Sequence, residues 1–249
     1  MMKYLYFIFL LSYWHSSLTF AADDELKIAV FIEPPFVDLV DGELVGHHIE
    51  IANLIAASVE LTPVFILCPF ARCLNLVQQG QADMMLGLKK LPEREKDLIF
   101  LNPPYMVQHY PLRFYTLASK KVEINTFGDL QKLIVGTLRG ASYFDLFDKN
   151  TAITKVELNT REQLVQMLLR GRIDTFMERE ESILPLVSEQ EYKTQFSLAH
   201  YQYDKAVNSY IAISKNTHIK NYAERLSTEL QRFISNNTFE KIRMKSKDK

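Results

Sequence analysis

The sequence predicts an α/β protein made of two similar lobes. Two observations carry this. Short buried apolar runs alternate with segments of helical spacing along the chain, the pattern of βαβ units around parallel sheets. One segment also occurs twice: Leu76 to Gly87, containing Gly80-Gln81-Ala82-Asp83, and Met167 to Glu178, containing Gly171-Arg172-Ile173-Asp174. Each reads as helix, glycine, any residue, apolar residue, aspartate and then an apolar strand.

The elements follow in order. Met1-Met2-Lys3 is a short positive start, Tyr4 to Leu11 is apolar, and Thr19-Phe20-Ala21 places small residues at −3 and −1 of a cut after Ala21. This is the layout of a cleavable secretory signal over residues 1–21. The apolar run is too short for a spanning helix, which needs roughly 20 residues. Leu26 to Ile32 reads as a first strand, ending at Glu33-Pro34-Pro35. Asp41-Gly42 turns the chain, and Ile51, Leu54 and Ile55 fall at helical spacing after Gly46. Pro63 to Leu67 is a strand, Pro69 to Gln79 a helix stopped by Gly80, and Ala82 to Leu86 a third strand.

The middle of the chain repeats the plan. Leu133 to Val135 is a strand, Ser142 to Phe147 begins a helix, and Lys155 to Leu158 is a strand. Thr160 with Gln163 forms a capping box for a helix that Gly171 ends, and Ile173 to Met177 follows as a strand. Ligands of open parallel sheets bind beyond the carboxyl ends of the strands. Two facing lobes therefore set Gly87 to Lys89 against Glu178 and Arg179 across one cleft.

Composition narrows the functional classes. There are 29 basic and 30 acidic residues in 249, and 47% of the chain is hydrophobic. Such a near-neutral chain has no general field for nucleic acid or acidic membranes. Cys68 and Cys73 admit two readings in an oxidising compartment, a local disulfide or two buried thiols. Zinc is disfavoured, since no further Cys or His stands near them. His47-His48 with Glu50 suggests a metal only superficially. Adjacent histidines point to opposite faces of a strand, so a surface pair is expected and no metal or other cofactor.

From Leu26 to Ile242 the chain resembles the periplasmic solute-binding proteins of family 3, the polar-amino-acid binders of ABC importers. The likeness rests on motifs in order. These are Glu33-Pro34-Pro35-Phe36, Asp41-Gly42, and Gly80-Gln81-Ala82-Asp83 with Gly87 and Pro92-Glu93-Arg94. Phe100 to Tyr105, Gly171 to Asp174, Tyr210 to Lys215 and Phe239 to Ile242 follow. The resemblance implies a type II, Venus-flytrap fold with a hinge of two crossings, near Tyr105 to Leu112 and Asn208 to Ile213. Lobe 1 would comprise residues 22–110 with 208–249, and lobe 2 residues 111–207. It implies a periplasmic monomer that captures a small solute and serves an ABC permease or a membrane sensor.

The resemblance also implies site residues. Arg94 stands where family members fork a guanidinium onto a ligand carboxylate, a task suited to its planar pair of donors. By itself the residue also reads as an exposed arginine between Glu93 and Glu95. Gly87 would present its carbonyl to an ammonium. Lys89 stands where a hydroxyl residue is usual, and Arg179 where an acid is often found, so an ordinary α-amino-acid ligand is in doubt and a carboxylate-bearing one is favoured. Glu178 is a substitute for that acid. Ala141 and Ser142, at an expected helix start, are candidate anion contacts, with Ser142 as a plain N-cap the alternative. Phe36 and Tyr105 are candidate cleft walls beside Phe70, with places in the core the alternative. The contrasting reading is an enzyme on the same scaffold, such as a dehydratase using Glu178 or Glu33 as acid or base.

Overall fold

The computed structural model describes residues 24–245; the expected signal segment, residues 1–21, lies outside the described residues. The first strand, β1 (Glu25–Val30), leads to the hairpin β2 (Asp38–Val40) and β3 (Glu43–Val45). Then come α1 (His47–Ser58), β4 (Thr62–Leu67), α2 (Phe70–Gln78), β5 (Met84–Leu88), β6 (Leu98–Phe100) and β7 (Met106–Gln108). The next stretch holds β8 (Leu112–Leu117), β9 (Ile134–Leu138), the single turn α3 (Asp145–Asp148), β10 (Thr154–Leu158) and α4 (Arg161–Leu169). It continues through β11 (Thr175–Glu178), α5 (Glu180–Ile183), α6 (Glu189–Gln195) and β12 (Phe196–Tyr203). The chain then runs through β13 (Val207–Ser214), α7 (Ala223–Ser235) and α8 (Thr238–Lys245).

Two sheets result, in the order β4-β1-β5-β13-β6, with β7 added on β13, and β10-β9-β11-β8-β12. In each, three parallel strands come first and antiparallel strands complete the edge. The chain leaves the first sheet between β7 and β8 and re-enters it between β12 and β13. The two crossing segments pair antiparallel, Met106 with Ser209 and Gln108 with Val207. This is the two-lobed, type II binding-protein architecture. α7 lays Leu226, Leu230 and Phe233 into the first lobe's core, as its amphipathic spacing requires. Among the described residues no helix is long and apolar enough to cross a membrane.

The repeated glycine–aspartate segment does the same work twice. Gly80 and Gly171 both adopt positive φ, 73° and 64°, to end their helices. The Asp83 carboxylate accepts the Lys27 N–H of β1 at 2.8 Å, and the Asp174 carboxylate accepts the Ile134 N–H of β9 at 2.9 Å. Each aspartate thus satisfies the start of the central parallel strand beside it.

Three local expectations are corrected. No helix starts at Ser142. The chain stays extended through Phe144, because Tyr143 and Phe144 are buried in the second lobe's core and the Asp148 carboxylate folds back onto the Tyr143 N–H. His47 and His48 are not a surface pair on a strand. They are the first two residues of α1 and are 5% and 2% exposed, because Gly46, at φ 115°, turns the chain so that both rings pack inward. The capping box at α4 is offset: Thr160 accepts the Gln163 N–H, but the Gln163 side chain accepts from Asn159 rather than Thr160.

Candidate functional site

The site lies between the sheets, at the carboxyl ends of β1, β5 and β11. It is a small cavity of about 80 Å³, lined by Glu33, Gly87, Lys89 and Arg94 from the first lobe and by Ala141, Ser142, Arg161, Glu178 and Arg179 from the second. Phe31, Phe70 and Tyr143 supply apolar walls.

Arg94 is held before any ligand is considered. The turn after β5 fixes its backbone, with the Arg94 N–H donating to the Leu91 carbonyl and the Leu98 N–H to the Arg94 carbonyl. Its side chain is buried, not the exposed arginine that its flanking glutamates suggest. Nη1 donates to the Lys89 carbonyl at 3.1 Å and Nη2 to the Gly140 carbonyl of the opposite lobe at 3.0 Å. The guanidinium centre also stands 5.9 Å from the middle of the Phe70 ring. Lys89 crosses the cleft as well, donating from Nζ to the Tyr143 carbonyl at 2.5 Å. Arg179 is half-buried and donates from Nε to the Tyr110 carbonyl at 3.2 Å. Burial pulls the pKa of all three cations down, though nearby carboxylates partly oppose it.

The loop that opens the second lobe's wall is already served by its own chain. The Ala141 N–H donates to the Leu138 carbonyl, the Ser142 hydroxyl to Asp148, and the Tyr143 N–H to the same carboxylate. Ala141 and Ser142 line the cavity, but the Ala141 N–H is engaged within the turn.

Sequence reasoning missed Arg161. It is the first residue of α4, yet 8% exposed, and it reaches between the two acids of the cleft. Nη2 donates to Glu33 Oε1 at 2.7 Å, and Nε lies 3.3 Å from Glu178 Oε2, an ion-pair distance without the alignment of a hydrogen bond. Burial lowers the Arg161 pKa, but Glu178 and Glu33 together more than reverse this. Burial pushes Glu33 upward and the Arg161 charge works against it. The available signal was positional: a cation in the first turn opposes the helix dipole and needs another reason to be there.

Phe36 and Tyr105 do not line this cavity. They close around His48 behind β5, with the Phe36 ring stacked 5.0 Å from the imidazole and the Tyr105 hydroxyl 2.6 Å from His48 Nε2. Gly87, at φ 83°, leaves room for that ring, since a β-carbon there would stand 3.1 Å from His48 Cε1. Burial depresses the His48 pKa to about 3, helped by the charge of His47. Cys68 and Cys73 form a disulfide joining the end of β4 to α2.

The fold is shared widely among solved structures. An ancestral arginine-binding protein in complex with arginine superposes with a TM-score of 0.74 at 21% identity, over 89% of this chain and 97% of that one. The GluR0 ligand-binding core from Nostoc punctiforme with L-glutamate gives 0.71 at 17%, over 90% and 100%. An ancestral amino-acid-binding protein, a precursor of cyclohexadienyl dehydratase, gives 0.70 at 18%, over 89% and 95%. In sequence, residues 26–246 match the bacterial extracellular solute-binding proteins, family 3. Almost the whole described chain falls within that match, and the protein belongs to this extracellular family.

Proposed function

We propose that the protein is a periplasmic receptor that closes its two lobes on a small carboxylate-bearing solute. The observation that carries this is the convergence of Arg94 and Lys89 from one lobe and Arg179 from the other on a single cavity. Their side-chain donors meet neutral backbone carbonyls, which a carboxylate can displace with a stronger, charge-assisted bond. Arg94 is the main anchor and Lys89 adds positive field, while Gly87, Ala141 and Ser142 shape the walls. Residues 22–110 with 208–249 form one lobe and 111–207 the other, and residues 1–21 are removed on export. The protein then works as a monomer, delivering solute to an ABC permease or presenting it to a membrane sensor, without nucleic acid or cofactor. The amino-acid ligands of the similar structures support a carboxylate-bearing solute without selecting one.

A catalytic alternative draws on Glu33, a buried cleft carboxyl whose pKa burial raises. It is the weaker reading, because Arg161 already binds that group. Thermal unfolding against a library of carboxylic acids tests the proposal, since a tight ligand raises the melting temperature by mass action. Stabilisation by carboxylates that is lost in Arg94→Ala supports it. Stabilisation only by cationic or neutral solutes, or conversion of any hit to product, overturns it.

A further inference from the structure

Two acids share the cleft with its cations. Glu33 and Glu178 are the carboxylates that line the cavity, both are buried, and both face the one Arg161 guanidinium. A ligand ammonium shut into a closed cleft needs an anionic or carbonyl partner, or it carries a large desolvation cost. The seat between the two acids would provide that partner, and Arg161 fills it from the protein itself. The Phe31 ring, 5.9 Å from the guanidinium centre, backs it on one side.

The remaining cations have no hydrogen-bonded carboxylate in the lining, although Glu178 and Glu33 act on Arg179 through space. Lys89, Arg94 and Arg179 donate to the carbonyls of Tyr143, Lys89, Gly140 and Tyr110, which accept hydrogen bonds but carry no charge. Four lining cations against two lining carboxylates leave a surplus of positive charge. From outside the lining, Asp148 and Asp145 act on Lys89, Glu93 and Asp148 on Arg94, and Glu181 on Arg179. Asp148 is exposed and already bonded to Ser142 and Tyr143, so solvent damps its effect. A closed cleft with surplus cations favours a ligand of more than one negative charge and disfavours one carrying its own ammonium.

Resting on the reading of this cleft as a carboxylate site, we propose that the ligand is a small dicarboxylic acid without an amino group. Arg161 sets that exclusion by occupying the position between Glu33 and Glu178.

Calorimetry with two matched pairs tests this: succinate against L-aspartate, and glutarate against L-glutamate. Wild-type protein should bind the plain diacid of at least one pair about tenfold or more tighter than its amino partner. Arg161→Gln, which frees both carboxylates, should collapse or invert that ratio. That variant leaves two buried acids facing each other, so Glu33→Gln combined with Arg161→Gln is measured beside it. The double variant keeps Glu178 alone for an amino group, and its ratio should move the same way. Equal or tighter binding of the amino partner by wild type overturns the proposal, as does an unchanged ratio in either folded variant. Should neither variant fold, the wild-type ratio decides. Binding of only a monocarboxylate or a monoamino monoacid, abolished in Arg94→Ala, sinks this inference and leaves the carboxylate receptor standing. Binding of no carboxylate sinks both.

Discussion

Arg161 Nη2 stands 2.7 Å from Glu33 Oε1, a contact that joins the first turn of a second-lobe helix to the turn after the first lobe's leading strand. Both side chains are almost wholly buried. Deleting one member of such a pair leaves an uncompensated charge in a dry place. Arg161→Met should therefore destabilise the protein by about 3–5 kcal/mol. Replacing Glu33, Arg161 and Glu178 together by Gln, Met and Gln should cost less than the single change. Urea denaturation measures both, and a smaller loss in the single variant would contradict the pairing.

Arg94→Ala should weaken carboxylate binding by about 2–5 kcal/mol, because the lost guanidinium leaves a desolvated anion without its partner. Lys89→Ala should cost less and mainly flatten the salt dependence of binding. Calorimetry at two ionic strengths separates them.

The Cys68–Cys73 disulfide closes a very short loop. Chain-entropy arguments limit its contribution to about 2 kcal/mol. Cys68→Ala with Cys73→Ala should lower the unfolding free energy by that order and leave the ligand preference unchanged. A change in selectivity would show that the bond also shapes the cleft through Phe70.

His48 gives a pH signature. Its pKa is about 3 in the folded protein and about 6.5 when exposed, so the unfolded chain binds a proton in that interval and the folded one does not. Stability should then be present above pH 6.5 and decline as pH falls toward 3, with a slope of about 1.4 kcal/mol per pH unit from this one group. His48→Gln should remove that slope from denaturation curves taken between pH 7 and pH 5. Identical slopes would locate the proton uptake elsewhere.

Closure on ligand should compact the molecule without altering its secondary structure, because the lobes are joined by the paired strands β7 and β13. The sole tryptophan, Trp14, falls within the segment expected to be removed on export, so intrinsic tryptophan fluorescence of the mature protein cannot follow the motion. Small-angle scattering can, and an unchanged radius at saturating ligand would count against closure.

The fold was legible because its signals are local and repeated. The glycine that ends each helix and the aspartate three residues later are sequence features with a fixed backbone task, seen alike at Asp83 and Asp174. Boundaries slipped where side-chain burial outweighed local pattern. Tyr143 and Phe144 keep the chain extended where the repeated strand–helix plan suggested a helix, and His48 is buried by Phe36, on the preceding turn, and by Tyr105, 57 positions on in the chain. In the site, Gly87, Lys89, Glu178 and Arg179 could be named because they stand at or just past strand ends, and Arg94 because of the family resemblance. Arg161 could not, since its role depends on Glu33, 128 positions away in the chain.

Gly140 bears on how strongly any ligand is held. At φ 73° it faces α2 so closely that a β-carbon would stand 3.2 Å from the Ala71 methyl group. Apparent affinity is the intrinsic affinity of the closed form scaled by how often that form is visited. A methyl group at position 140, or a larger side chain at 71, would prop the lobes apart and weaken binding while touching no ligand. Tightness and selectivity can thus drift independently in this protein, one set by clearance at Gly140 and the other by the charges around Arg161.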